Sequence, residues 1–154
     1  MPRALVGGLG TLIVVAYAIG AGRWVSTDAG WYRSLVRPPW QPPDVVFGLI
    51  WPYNFVMLVV ASWAIAARDQ RIEQVVWLAS LALSVVAALT WAYQFYIPHA
   101  LATAGFALAA ATVLTLPLIV VAFRVSLLLG AALVPYQLWL AIATSLAFGY
   151  AGRN

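Results

Sequence analysis

Conventional catalytic chemistry has little to work with in this 154-residue chain: there is no cysteine, one histidine (His99) and only four carboxylates. Those carboxylates, Asp28, Asp44, Asp69 and Glu73, lie outside or at the ends of long apolar runs. A general acid–base pair, a nucleophile with its base and a cluster of metal ligands all need such groups brought together. The apolar runs contain no Asp, Glu, His or Cys to supply them, so no metal site is expected. What the chain holds in quantity is aromatic surface, with 8 Trp, 7 Tyr and 6 Phe.

The densest aromatic stretch is Trp31-Tyr32-Arg33-Ser34-Leu35-Val36-Arg37-Pro38-Pro39-Trp40-Gln41-Pro42-Pro43. Proline fixes φ and biases the preceding residue away from helix, so the segment reads as a stiff, extended connector. Rings and guanidiniums on such a scaffold suit a lid over an apolar object with an acidic edge, Arg23, Arg33 and Arg37 supplying the rim charge. An interfacial aromatic belt is the plainer reading. Helical spacing sets Phe47, Trp51, Phe55, Leu58 and Ser62 on one stripe, with Asn54 at its margin. Tyr136, Trp139, Ala143 and Tyr150 form a second stripe, and Trp91 and Phe95 close a third. Asn54, Thr90, Gln94 and Gln137 are polar groups within apolar runs. Each needs a partner helix, a ligand or water.

The elements that position these groups follow from composition. Hydrophobic residues make up 65% of the chain and charged ones 8%, which places it outside soluble domains and in the integral, multi-pass membrane class. Five apolar runs, at about 4–22, 45–67, 75–97, 100–123 and 127–150, each approach the ~20 residues that cross a bilayer as helix. The expected fold is an all-α membrane protein, one domain over 1–154, built as a five-helix bundle with a long Pro/Trp-rich first loop, 23–43. Arg3, Arg68, Arg71 and Arg124 fall on one side and Arg23, Arg33, Arg37 and Arg153 on the other, so arginine bias gives no orientation. The net charge of +4 is scattered and does not suit nucleic acid. Ser80, Ser84, Ala88 and Ala92 recur every four residues, a ladder that lets helices approach closely, within the bundle or across a homodimer.

Trp31-Tyr32, Leu35, Arg37-Pro38, Trp40, Pro42-Pro43, Val46-Phe47 and Trp51 together resemble the loop-to-second-helix signature of the translocator protein family, the tryptophan-rich sensory proteins or peripheral benzodiazepine receptors. Val134-Pro135-Tyr136-Gln137-Leu138-Trp139, continuing to Ala143-Thr144, resembles its fifth-helix signature. The resemblance implies five spans, often paired as dimers, and a pocket for porphyrins, haem, sterol-like molecules and benzodiazepine-type ligands. By motif that pocket takes Trp31, Tyr32, Pro42 and Pro43 from the lid, Phe47, Trp51 and Phe55 from the second helix, and Trp139 and Ala143 from the fifth. Trp91 and Phe95 match the aromatic end of the third helix. Leu146, Tyr150 and Arg153 fit the loose sterol-recognition pattern. Two departures stand out: Ala88 replaces a usual asparagine, and Ser145-Leu146-Ala147 replaces Tyr-Leu-Asn.

The expected function is a membrane receptor, sensor or carrier for tetrapyrroles, with no obligatory cofactor and porphyrin or haem as the ligand. With His99 and Met57 as the candidate axial ligands, no bis-His or His/Met haem site can form within one chain, so a metal-free porphyrin or a haem gripped by its face fits better. One alternative is light-dependent porphyrin degradation, with Trp51 and Trp139 exchanging electrons with the ligand. Another is a lipophile transporter, although the runs lack the intramembrane charges and broken repeats of coupled carriers.

Overall fold

The computed structural model of the protein describes residues 1–25 and 27–154, so position 26 of the expected lid lies outside the described residues. Its elements are α1 (Arg3–Val25), α2 (Ala29–Ser34), α3 (Asp44–Ala66), α4 (Arg71–Tyr96), α5 (Leu101–Leu114), α6 (Leu116–Val125) and α7 (Leu127–Ala151). With α5 and α6 taken together, five helical spans are long and apolar enough to cross a membrane. Between 22% and 39% of each span's most apolar stretch is buried in the protein. The outward faces still carry Leu12, Ile19, Leu49, Leu83, Phe106 and Leu138, a surface made for hydrocarbon. The chain is an integral multi-pass membrane protein with an all-α fold.

Short connections make consecutive spans antiparallel neighbours. Residues 67–70 link α3 to α4, and α4 starts at Arg71, four residues before the apolar run expected at 75. The α4–α5 turn closes on His99, which holds φ at 55°. Helix α1 packs on α3 and α4, and α7 packs on α5, α6 and α3. Gly10 permits the tightest α1–α3 approach: a Cβ there would lie 2.4 Å from Ser62 Oγ. That hydroxyl is committed, accepting from the buried Trp77 indole at 3.0 Å and donating to the Leu58 carbonyl at 2.8 Å.

The expected ladder on α4 is already buried within one chain at Ser84, Ala88 and Ala92, and Ser80 is half-buried.

Two expectations about the backbone need correction. The strap is not extended throughout, because Trp31–Ser34 belong to the short helix α2. The Asp28 side chain caps it by accepting from the Trp31 N–H at 2.9 Å, a local signal strong enough to set a turn of helix before the prolines. The fourth run is not one helix but breaks at Thr115, and Pro117 opens α6. Proline's missing N–H is tolerated in a first turn, so the break falls just before it. Pro52 and Pro135, by contrast, sit inside α3 and α7 without interrupting either helix. The Thr115 break is braced across the bundle. Thr115 Oγ1 lies 2.7 Å from Gln137 Oε1, and Gln137 Nε2 donates to the Thr112 carbonyl at 2.9 Å. Gln137 therefore has its helix partner, while Thr90 bonds back to Val86 of its own helix at 2.8 Å.

Candidate aromatic cavity beneath the lid

At the end of the bundle that carries α2 and the strap, a cavity of about 370 Å³ opens between α3, α4 and α7. Phe47 and Trp51 of α3 form one wall. Trp139, Ala143, Leu146, Ala147 and Tyr150 of α7 form another, and Trp91, Phe95 and Tyr96 of α4 a third. The rings meet edge to face: Phe47 and Trp139 centroids are 4.9 Å apart at 84°, and Trp51 and Trp139 6.4 Å apart at 87°. That arrangement places electron-poor ring edges against electron-rich faces and fixes both indoles.

Tyr32 of α2, Arg33, Arg37, Gln41 and Asp44 form the roof and mouth. Arg37 and Asp44 approach to 3.9 Å as an exposed pair, which contributes little to stability. The Tyr150 hydroxyl donates to Gln41 Oε1 and lies 3.2 Å from the Tyr32 hydroxyl, so the roof is hydrogen-bonded to α7 across the cavity edge.

The strap docks on one face of α7. Trp40 Nε1 donates to Ser145 Oγ at 3.3 Å, and the Arg153 guanidinium lies 4.7 Å from the Trp40 ring centroid. Pro38 is buried, and a Cβ on Gly149 would stand 2.8 Å from both Pro38 Cγ and Trp40 Cζ2. Ser145, Gly149 and Arg153 recur at four-residue intervals, so one stripe of helix receives the strap. Asn154 completes the clasp, accepting from Val36 N–H at 2.9 Å and donating to Val36 O at 3.3 Å. On the far side Trp31 stacks on His99 at 3.7 Å and 11°.

Of the residues chosen from sequence, Tyr32, Phe47, Trp51, Trp91, Phe95, Trp139 and Ala143 line the cavity, as do Arg33 and Arg37 at its mouth. Leu146 and Tyr150 of the sterol pattern also face it, whereas Arg153 is held against Trp40. Trp31, Arg23, Pro42 and Pro43 are not among its walls; Trp31 packs on Phe95 and His99 instead, and Pro43 holds the N-cap position of α3. Phe55 lies below the floor, 5.3 Å from Tyr17 and 5.6 Å from Trp51, and Tyr136 is buried at 1% exposure in the same layer. Sequence reasoning passed over Gln41, Asp44 and Tyr96 as site residues. Asp44 carried a signal as the acidic first turn of α3, but Gln41 and Tyr96 reach the cavity only through tertiary packing.

Several polar atoms around the cavity have no partner. Trp91 Nε1 and Trp139 Nε1 are buried donors without an acceptor, and both amide atoms of the fully buried Asn54 are unpaired. Asn54 lies three residues along α3 from Trp51, in the layer under the floor. An unsatisfied buried amide costs about 1–3 kcal/mol, and leucine has the same branched outline without the polar atoms. Asn54→Leu is therefore expected to raise the melting temperature of the ligand-free protein by about 5 °C, measured by circular dichroism in detergent. A fall instead would mean that the amide is satisfied by water.

The family follows from comparison once this geometry is seen. The TspO/MBR family profile matches residues 10–152. The chain belongs to the TspO/MBR family. It is 28% identical to the uncharacterized membrane protein YtaB of Bacillus subtilis, over 99% of both chains. Similarity extends to the tryptophan-rich protein TspO of Bacillus cereus, 32% identical over 79% of this chain and 78% of the relative. The protein CrtK of Rhodobacter capsulatus is 26% identical over 88% of this chain and 85% of its own length. In this TspO/MBR protein Phe47 and Trp51 of α3 and Trp139 of α7 supply walls of one cavity.

Proposed function

We propose that this TspO/MBR protein is a membrane receptor or sensor for a flat, largely apolar tetrapyrrole, bound under the lid. The observation that carries the reading is a cavity walled by the rings of Phe47, Trp51, Trp91, Phe95 and Trp139 whose mouth carries Arg33 and Arg37. A porphyrin offers each of these groups a counterpart: aromatic faces for the walls and carboxylates for the guanidiniums.

The magnitude is adequate. The cavity falls within the ~300–1,000 Å³ of ordinary ligand pockets. Burying one ~300 Å² porphyrin face at ~25 cal/mol/Å² yields about 7 kcal/mol and both faces about twice that, so after an association cost at the lower end of ~4–15 kcal/mol the net reaches micromolar affinity. Each exposed arginine–carboxylate pair at the mouth adds at most about 1 kcal/mol, so the faces set affinity and the rim sets orientation.

Quenching of tryptophan fluorescence by protoporphyrin IX, haem and a sterol, each titrated separately, tests this. Protoporphyrin is expected to bind in the micromolar range, and Arg33→Ala/Arg37→Ala to weaken it no more than about thirtyfold while leaving the sterol unchanged. Absence of saturable quenching by either tetrapyrrole would refute the reading.

One observation favours a second, photochemical activity of the same site. Trp51 and Trp139 both line the cavity and contact each other, so an illuminated porphyrin there touches two oxidisable indoles. Under illumination in air, protoporphyrin bleaching is expected to slow at least about tenfold in Trp51→Phe at equal occupancy. An unchanged rate removes Trp51 from any such chemistry.

A further inference from the structure

A second concavity lies at the opposite end of the bundle from the lid. Its volume is about 490 Å³, and it is walled by the start of α4 and by the broken α5–α6 span. The break at Thr115–Leu116, with Pro117 opening α6, sets Val113, Leu116 and Val120 around it, and these are 63%, 50% and 52% exposed. In a five-span bundle such a surface faces the bilayer, so its occupant is drawn from the lipid.

Two charged side chains stand in these otherwise apolar walls, Glu73 of the first turn of α4 and Arg124 of the last turn of α6. Both helix ends lie at the lid-distal boundary of the membrane-spanning region. Glu73 Oε2 is buried and has no hydrogen-bond partner. Arg124 does not supply one: among the described residues the single ion pair is Arg37–Asp44, at the other end. A carboxylate oxygen shielded from water is costly unless a donor reaches it.

We propose that this groove is a binding site for a phospholipid whose headgroup joins a phosphate to a primary ammonium, as in phosphatidylethanolamine. The ammonium donates to Glu73, the phosphate pairs with Arg124, and an acyl chain lies along Val76, Val113, Leu116 and Val120. The chemistry discriminates. A choline headgroup is cationic but has no N–H to give Glu73, and a phosphoglycerol headgroup has no cation at all. The inference is independent of what the lid cavity binds.

Native mass spectrometry of the full chain, exchanged against equimolar phosphatidylethanolamine, phosphatidylcholine and phosphatidylglycerol of identical acyl chains, tests it. The wild type is expected to retain the ethanolamine lipid about tenfold over either competitor, the value of one charge-assisted hydrogen bond in a desolvated site. Glu73→Gln is expected to bring that preference below about twofold, because the amide no longer attracts an ammonium. Val120→Trp, at an exposed position that does not threaten the fold, is expected to fill the groove and expel the lipid. Equal retention of the three lipids, preference for phosphoglycerol, or a preference that survives both Glu73→Gln and Val120→Trp would overturn the proposal.

Discussion

Replacing Ala143 by tryptophan is expected to abolish tetrapyrrole binding while leaving the bundle intact. Ala143 is half-buried on α7, one turn beyond Trp139, where it lines the cavity at the edge of the packed core. An indole there occupies much of the 370 Å³ that the ligand would use. Excluding half of a porphyrin face, ~150 Å², forfeits about 4 kcal/mol at ~25 cal/mol/Å², roughly several hundredfold in Kd. The substitution adds no volume to the buried layer of Tyr17, Asn54 and Tyr136, so helicity and melting temperature are expected to stay close to wild type. Fluorescence titration with protoporphyrin IX, alongside a thermal melt, measures both quantities. Ala143→Leu gives an intermediate loss if the space fills progressively. Wild-type affinity in Ala143→Trp would place the tetrapyrrole elsewhere.

That the walls of this cavity were readable in sequence, and its floor and roof less so, has a physical reason. Phe47 and Trp51 were found because helical periodicity assigns a face, and a face is a two-dimensional property of one element. The same periodicity continues past the end of the cavity. It therefore carried Phe55 and Asn54 into the expected site, although Phe55 packs on Tyr17 in the layer below and Asn54 is sealed there. Depth along a helix depends on where neighbouring helices converge, and no single stripe records that.

The lid shows the complementary error. Four prolines in six residues outweighed Asp28, yet one side-chain-to-backbone hydrogen bond sufficed to build α2 and turn Tyr32 over the cavity. Gln41 was invisible for a different cause, since its role depends on meeting Tyr150, which lies 109 residues away in sequence. The spans, in contrast, were nearly complete in the composition. Hydrocarbon accepts only backbones that satisfy their own hydrogen bonds, so apolar length determines structure directly. Only Pro117 altered that result, converting one run into two helices.

Gly149→Leu is expected to release bound tetrapyrrole about a hundredfold faster than wild type. The position is unusual in that its missing side chain is what seats the strap. A Cβ alone would press on Pro38 and Trp40 at 2.8 Å, and both neighbours are rings that cannot bend aside. A leucine must displace the strap from α7 and with it the Val36–Asn154 pair, the Trp40–Ser145 bond and the Trp40–Arg153 contact. At ~0.5–1 kcal/mol each these four interactions total about 2–4 kcal/mol, which sets the hundredfold estimate. The effect belongs to release, because an open roof obstructs entry less than a closed one while no longer retaining the ligand. Stopped-flow displacement of protoporphyrin from wild type, Gly149→Ala, Gly149→Leu and Ser145→Ala would resolve the series. Ser145→Ala removes the 3.3 Å indole bond together with the hydroxyl's own 2.7 Å bond to the Ile142 carbonyl, and should change release by less than about fivefold. If all four proteins release porphyrin at one rate, the strap does not govern access, and the ligand must leave between the helices into the bilayer.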